Sequence, residues 1–299
     1  MACFRHVLVP VDLSPRSRHV LAEGRRLARA CGARLTLIHV ASLAAEPEAC
    51  EELEKRLSRL AGRALGRPRA MHIEVVQGEP AEQILAFAGD NGVDLIVLGQ
   101  RVRSPLDGLL VYSVSDRVTR RASCSVLIVH EGATRVSPGP PARILCAVDF
   151  GQDSEGVLGI AAALARTTRA RLTVLHVIDR WRAPSPATFE ALDAARNEVA
   201  DDTYDDLDVL IASVGAYEGD PETLVSLGLV PNQIAGAASV VDADVVVVGA
   251  RTRRLLGRLL LGPVTRDVLR LARRPVLLAR PSATGRPVRV PDDELVSAS

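Results

Sequence analysis

The chain runs to 299 residues, with 37 basic and 36 acidic side chains and a formal net charge of +1. That balance gives no electrostatic case for nucleic acid or an anionic membrane as partner. Hydrophobic residues make up 47% of the chain, enough to bury sizeable cores in two domains, yet runs such as Val245 to Val248 fall far short of the roughly 18 residues a membrane span needs.

The first predicted element is a strand, HVLVPVD, over residues 6–12. It follows the N-terminus directly, with no basic, apolar and small-residue pattern of a cleaved leader. A soluble, cytoplasmic protein is expected. Ser14 to Cys31 then places Val20, Leu21, Leu27 and Ala28 at helical spacing. The strand ARLTLIHV covers 33–40, and the context of Lys55, EELEKRLSRL, reads as helix. Lys55 is the only lysine, so a lysine-bearing phosphate loop is excluded. A helix from Pro80 to Asn91 has proline at its start, where a missing N–H costs nothing. Strand VDLIVLG (93–99), a helix from Ser113 to Ala122 and strand SVLIVH (125–130) complete the series.

A proline- and glycine-rich stretch, TRVSPGPPAR (134–143), has the composition of an exposed linker. After it the series begins again. RILCAVD (143–149) matches the first strand and ARLTVLHV (170–177) the second, both at an offset of 137. ADVVVVG (243–249) and PVLLAR (275–280) match the later strands at an offset of 150, so the second copy is 13 residues longer in its middle. The last helix of that copy is expected over Thr265 to Ala272. Colinear blocks with one insertion indicate duplication.

The strands are continuous in Val, Ile and Leu, as strands covered on both faces are. Alternation with helices predicts right-handed crossovers and a parallel sheet. The expected fold class is α/β: two tandem doubly wound domains, each a five-stranded parallel sheet of order 3-2-1-4-5 with helices on both faces. Expected boundaries are 1–134 and 140–281, with a disordered tail over 282–299.

Ligands of such sheets bind beyond the carboxyl ends of the strands. Asp12 and Asp149 stand there after the first strands, Val40 and Val177 at the second, and Gly99 and Gly249 at the fourth. The V-x-V-D, H-V and V-x-G elements together resemble the universal stress protein family, over nearly the whole chain. The resemblance implies a stress-response role and a division between ATP binders and non-binders. Binders carry G-x-x-G, nine residues, then G-[ST], whose backbone N–H groups and hydroxyl hold phosphate. The strand-end aspartate and the H-V valine would meet the adenosine part.

Both copies depart from that motif. The first keeps Gly99 but has Val102 at the second glycine and Tyr112-Ser113 for Gly-Ser. The second keeps Gly249 but has Thr252 there and Gly262-Pro263 for Gly-Ser. The second is the preferred site, with Asp149, Val177, Gly249, Arg251, Thr252, Gly262, Pro263 and Val264 as binding residues for ATP or another adenine nucleotide. Arg253, Arg254 and Arg258 add guanidinium groups nearby, although solvated surface arginine is the better reading of each singly. The weaker site comprises Pro10, Asp12, Val40, Gly99, Val102 and Ser113, with Arg101 and Arg103 in its loop.

Asp12 and Asp149 have a plain alternative as strand-end carboxylates that cap the following backbone. His39 and His176, inside apolar strands, read as structural. Glu198, Asp201, Asp202, Asp205, Asp206 and Asp208 match no calcium loop and read as a solvated helix face or acidic segment. Trp181 is expected to pack as an anchor. The five cysteines, Cys3, Cys31, Cys50, Cys124 and Cys146, contain no C-x-x-C pair, so neither a metal site nor a disulfide framework is expected. No catalytic residue is assigned. Three readings stay open: a nucleotide-binding sensor, a non-binding scaffold and, lower, a nucleotide-hydrolysing or adenylating enzyme, for which the S-G-G-x-D-S, H-I-G-H and K-M-S-K-S sequences are missing. The resemblance also implies pairing of the two copies through their last strands, with a homodimer open as well.

Overall fold

The computed structural model describes residues 3–14, 17–65, 71–100, 113–130, 139–179, 196–215, 219–250, 252–255 and 258–281. The first copy contains β1 (His6–Pro10), α1 (Ser17–Cys31), β2 (Arg34–Ala41), α2 (Pro47–Leu65), β3 (Met71–Gln77), α3 (Pro80–Asp90), β4 (Leu95–Gln100), α4 (Val114–Arg121) and β5 (Ser125–His130). The second contains β6 (Arg143–Val148), α5 (Ser154–Thr168), β7 (Arg171–Asp179), α6 (Arg196–Val214), β8 (Glu222–Gly228), α7 (Val230–Val240), β9 (Val245–Gly249), β10 (Thr252–Leu255), β11 (Arg258–Leu261), α8 (Pro263–Leu271) and β12 (Val276–Ala279).

Among the described residues, ten of the twelve strands form one sheet, ordered β3-β2-β1-β4-β5-β12-β9-β6-β7-β8, and β10 and β11 pair in a separate two-stranded sheet. Each copy supplies five parallel strands in the order 3-2-1-4-5. Alternate residues of each strand feed opposite cores, which explains the unbroken apolar runs. Val7, Val9, Leu35, Leu37 and Val97 are buried in a core shared with α1, and Leu8, Ile38, Ile96 and Leu98 in one shared with α3 and α4. The second copy repeats this with α5 and α6 on one face and α7 and α8 on the other.

The copies meet at β5 and β12, which pair antiparallel with Leu127 opposite Leu277 and Ile128 opposite Val276. These side chains are buried. On one face α1 packs on α5, and on the other β11 lies against α4. Arg280, just past β12, donates to Thr119 O near the end of α4, and its backbone N–H donates to Ser125 Oγ at 3.2 Å. The guanidinium thus reaches the negative end of a helix in the other copy.

The longer middle of the second copy includes α6. Asp201, Asp202, Asp205, Asp206 and Asp208 are exposed on it, so these residues form a solvated helix face. Trp181, much of the linker and the 282–299 tail lie outside the described residues. Among the described residues no group of His, Cys, Asp or Glu could hold a metal ion, and no helix is long and apolar enough to cross a membrane.

Candidate functional site

Both copies leave their first strand in the same way. Asp12 Oδ1 accepts from Ser14 N–H at 3.0 Å and Ser17 Oγ at 2.7 Å. Asp149 Oδ1 accepts from Gly151 N–H at 3.1 Å and Ser154 Oγ at 3.2 Å. Each aspartate ties the loop to the start of the following helix, as short acidic side chains do. The next residues, Leu13 and Phe150, take φ of 58° and 54°, a left-handed step uncommon for such side chains. Both oxygens named are committed to the chain's own turn.

His39 Nδ1 lies 2.7 Å from Val11 O, and His176 Nδ1 lies 3.0 Å from Val148 O. Only a protonated ring nitrogen can donate to a carbonyl, so both rings stitch the second strand of a copy to the end of its first. Burial pushes His176 below its ordinary pKa, partly opposed by that carbonyl and by Asp149. The Phe150 ring lies over it, with centroids 4.5 Å apart. Val40 and Val177 face the other side, toward the α3–α4 and α7–α8 core, with Val177 buried. Pro10 ends β1 on the same edge.

The retained glycines carry a packing requirement. A Cβ on Gly99 would stand 2.9 Å from Val20 Cγ2, and one on Gly249 would stand 3.4 Å from Val157 Cγ2. Each lets the first helix of its copy approach the sheet. Their carbonyls also take hydroxyls from the last helix: Ser115 Oγ to Gly99 O at 2.7 Å, and Thr265 Oγ1 to Gly249 O at 3.4 Å.

The phosphate-loop segments differ more. The second copy's segment is an antiparallel hairpin of β10 and β11, with Thr252 opposite Leu261 and Leu255 opposite Arg258, where the motif suggests an open loop. β11 lies against α4, and Leu261 at its end packs on the core shared with α8. Val102, Arg101, Arg103, Tyr112 and Arg251 lie outside the described residues.

The helix starts separate the copies most clearly. Ser113 caps α4 in a full capping box: its hydroxyl accepts from Asp116 N–H at 3.1 Å, and its own N–H donates to Asp116 Oδ2 at 3.3 Å. Ser113 Oγ thus accepts within its own helix, beside a carboxylate that repels anions. Arg117 adds ion pairs to Glu79 at 2.6 Å and Glu82 at 3.2 Å. At α8, Gly262 is the cap with φ −56° and ψ 151° and makes no side-chain cap bond. Pro263 opens the helix, Val264 is exposed and the first turn has no acid. The position equivalent to Asp116 is exposed Arg266. Sequence reasoning passed over this charge reversal, although the 150-residue offset aligns the two positions.

A groove along α2 lined by Glu51, Glu54, Lys55, Ser58 and Arg59 lies away from these strand ends, on a solvated helix.

A family model described as the universal stress protein family matches residues 4–130 and again 141–280. A universal stress protein of Mycobacterium tuberculosis is 29% identical over 230 residues, 75% of this chain and 74% of its own length. One from Thermus aquaticus is 35% identical over 137 residues, 42% of this chain and 99% of its own. The solved structure of a universal stress protein from Archaeoglobus fulgidus superposes with a TM-score of 0.65 at 21% identity, covering 92% of this chain and 98% of that one, which shows the shared fold. The chain belongs to the universal stress protein family and carries the family's domain twice.

Proposed function

We propose that this protein is a cytoplasmic stress-response module in which the second copy holds an adenine nucleotide and the first acts as its packing partner. The observation that carries the reading is the contrast between the helix starts. α8 opens on Gly262 and Pro263 with no capping side chain, and Arg266 stands in its first turn. α4 is closed by Ser113 and Asp116. A free helix N-terminus with a nearby guanidinium suits phosphate, whereas a capped and acidic one opposes it. Val177 and the Asp149 turn would border the nucleoside part. No side chain in these sites is assigned to turnover.

Calorimetric titration of the full chain with ATP tests the reading. One saturable site is expected, weakened at least tenfold by Arg266→Asp and lost in Asp149→Ala but kept in Asp12→Ala. No heat at millimolar ATP overturns it. The scaffold reading, in which both pockets are empty of function, would then hold. It has its own support, because Gly99 and Gly249 are already required by Val20 and Val157 without any phosphate.

A further inference from the structure

Two cysteines stand side by side where the first copy's sheet begins. Gly32 takes φ 65° and turns the chain from α1 into β2. β2 pairs in parallel with β1, His6 opposite Arg34, and Arg34 N–H donates to Arg5 O at 2.8 Å. Three residues back along each segment stand Cys3 and Cys31. The turn at Gly32 and the start of β1 bring the two sulfurs into hydrogen-bonding contact, the juxtaposition a disulfide needs.

Both side chains enter the same core. Cys31 is a buried member of it at 5% exposure, and Cys3 packs against it, half-buried. The Cys3 S–H lies between two acceptors, the Cys31 sulfur and Ile160 O on α5, the latter 3.7 Å from Cys3 Sγ. Donation from Cys3, and further from the Phe4 N–H, draws the Cys31 thiol below its ordinary pKa although burial opposes this. The same bond, with burial, raises Cys3. Of the two, Cys31 is therefore the sulfur that gives up its proton more readily, and Cys3 the one that holds it. Burial pushes Cys124 and Cys146 up to about 12 and leaves them unreactive.

We propose that Cys3 and Cys31 form a reversible intramolecular disulfide, a modification site for small peroxides confined to the first copy. The second copy has Pro140 and Thr168 at the matching positions. In the first step the Cys31 thiolate attacks a peroxide oxygen. The O–O bond breaks, the sulfur is oxidised to a sulfenic acid, and hydroxide leaves and takes up a proton. Cys3 then loses its proton and attacks that sulfur. The S–O bond breaks, water leaves, and the S–S bond forms. Two thiols and one hydrogen peroxide yield one disulfide and two waters. The disulfide has no S–H, so the bond from Cys3 to Ile160 O is given up and a contact between the two copies is released.

The test treats the reduced full-length chain with stoichiometric hydrogen peroxide, then alkylates under denaturing conditions and maps the tryptic peptides. Alkylation of three of the five thiols is expected, with residues 1–5 joined to residues 30–34. Dithiothreitol should restore all five. A Cys31→Ser chain should yield no joined peptide and leave Cys3 alkylatable. The proposal is overturned if Cys3 and Cys31 stay alkylatable in the oxidised wild type, if they overoxidise singly, or if either pairs with Cys50 or another chain. The joined peptide is read on the wild type, so a poorly folding variant does not decide the matter.

Discussion

Several buried side chains carry their own acid–base consequence. His6 is buried, with Nδ1 3.0 Å from Asn91 O and Nε2 2.8 Å from Thr36 Oγ1. The carbonyl fixes the proton on Nδ1, so Nε2 accepts from the hydroxyl. Burial lowers the pKa of His6, His130 and His176 from the ordinary 6.5. Below that value the unfolded chain binds more protons than the folded one, so stability is present above it and is lost as pH falls. The thermal midpoint is expected to drop between pH 7.5 and 5.5, and His130→Phe should flatten part of that slope. A midpoint independent of pH across the window would contradict this. Asp94, raised by burial, works in the opposite sense but at lower pH. At this scale the sequence disclosed the strand-end aspartates and the structural histidines. It did not disclose that Ser113 caps its own helix, because a capping box depends on which serine precedes the helix, and Val114 begins it here.

Among the elements, the two glycines that end β4 and β9 offer a sharp comparison. Gly99→Ala should cost about 1–3 kcal/mol, since a Cβ 2.9 Å from Val20 must push the helix away. Gly249→Ala, at 3.4 Å from Val157, should cost visibly less. Equal losses in urea midpoints would mean that packing does not explain the retained glycines. Helix α1 makes a second comparison. Glu23 and Arg26 form a buried pair on it, with contacts of 2.5 and 2.6 Å, where the second copy has Ile160 and Ala163. Glu23→Ala strands a buried guanidinium and should cost about 3–5 kcal/mol. The double change Glu23→Ile with Arg26→Ala, which installs the second copy's residues, should recover most of that loss. If the double variant is as unstable as the single one, the charge is not the cause. The helices and strands were legible in the sequence because apolar spacing fixes them. The β10–β11 hairpin was not, since its partner is α4 of the other copy, 131 or more residues earlier.

For the molecule as a whole, the β5–β12 seam is the pairing of last strands that the family resemblance implied for two tandem copies. Leu277→Asp places a charge opposite Leu127 in a dry interface and should unfold the joint or the chain. A fragment of residues 1–134 would leave β5 unpaired and should self-associate, read by sedimentation velocity. A monomer at high concentration would count against the seam as the main contact. The antiparallel seam has one more consequence. All strands of a copy run one way, and the copies run opposite ways, so their carboxyl edges look out from opposite ends of the sheet. A six-residue strand spans roughly 20 Å. The chain is therefore polar like a rod with unlike tips: one tip closed by Ser113 and Asp116, the other open beside Arg266. A protein gripping the closed tip leaves the open one accessible. Any message between them crosses the joint between the copies: the β5–β12 seam, the packing of α1 on α5, the contact of β11 with α4, or the bond from Arg280 to Thr119 O.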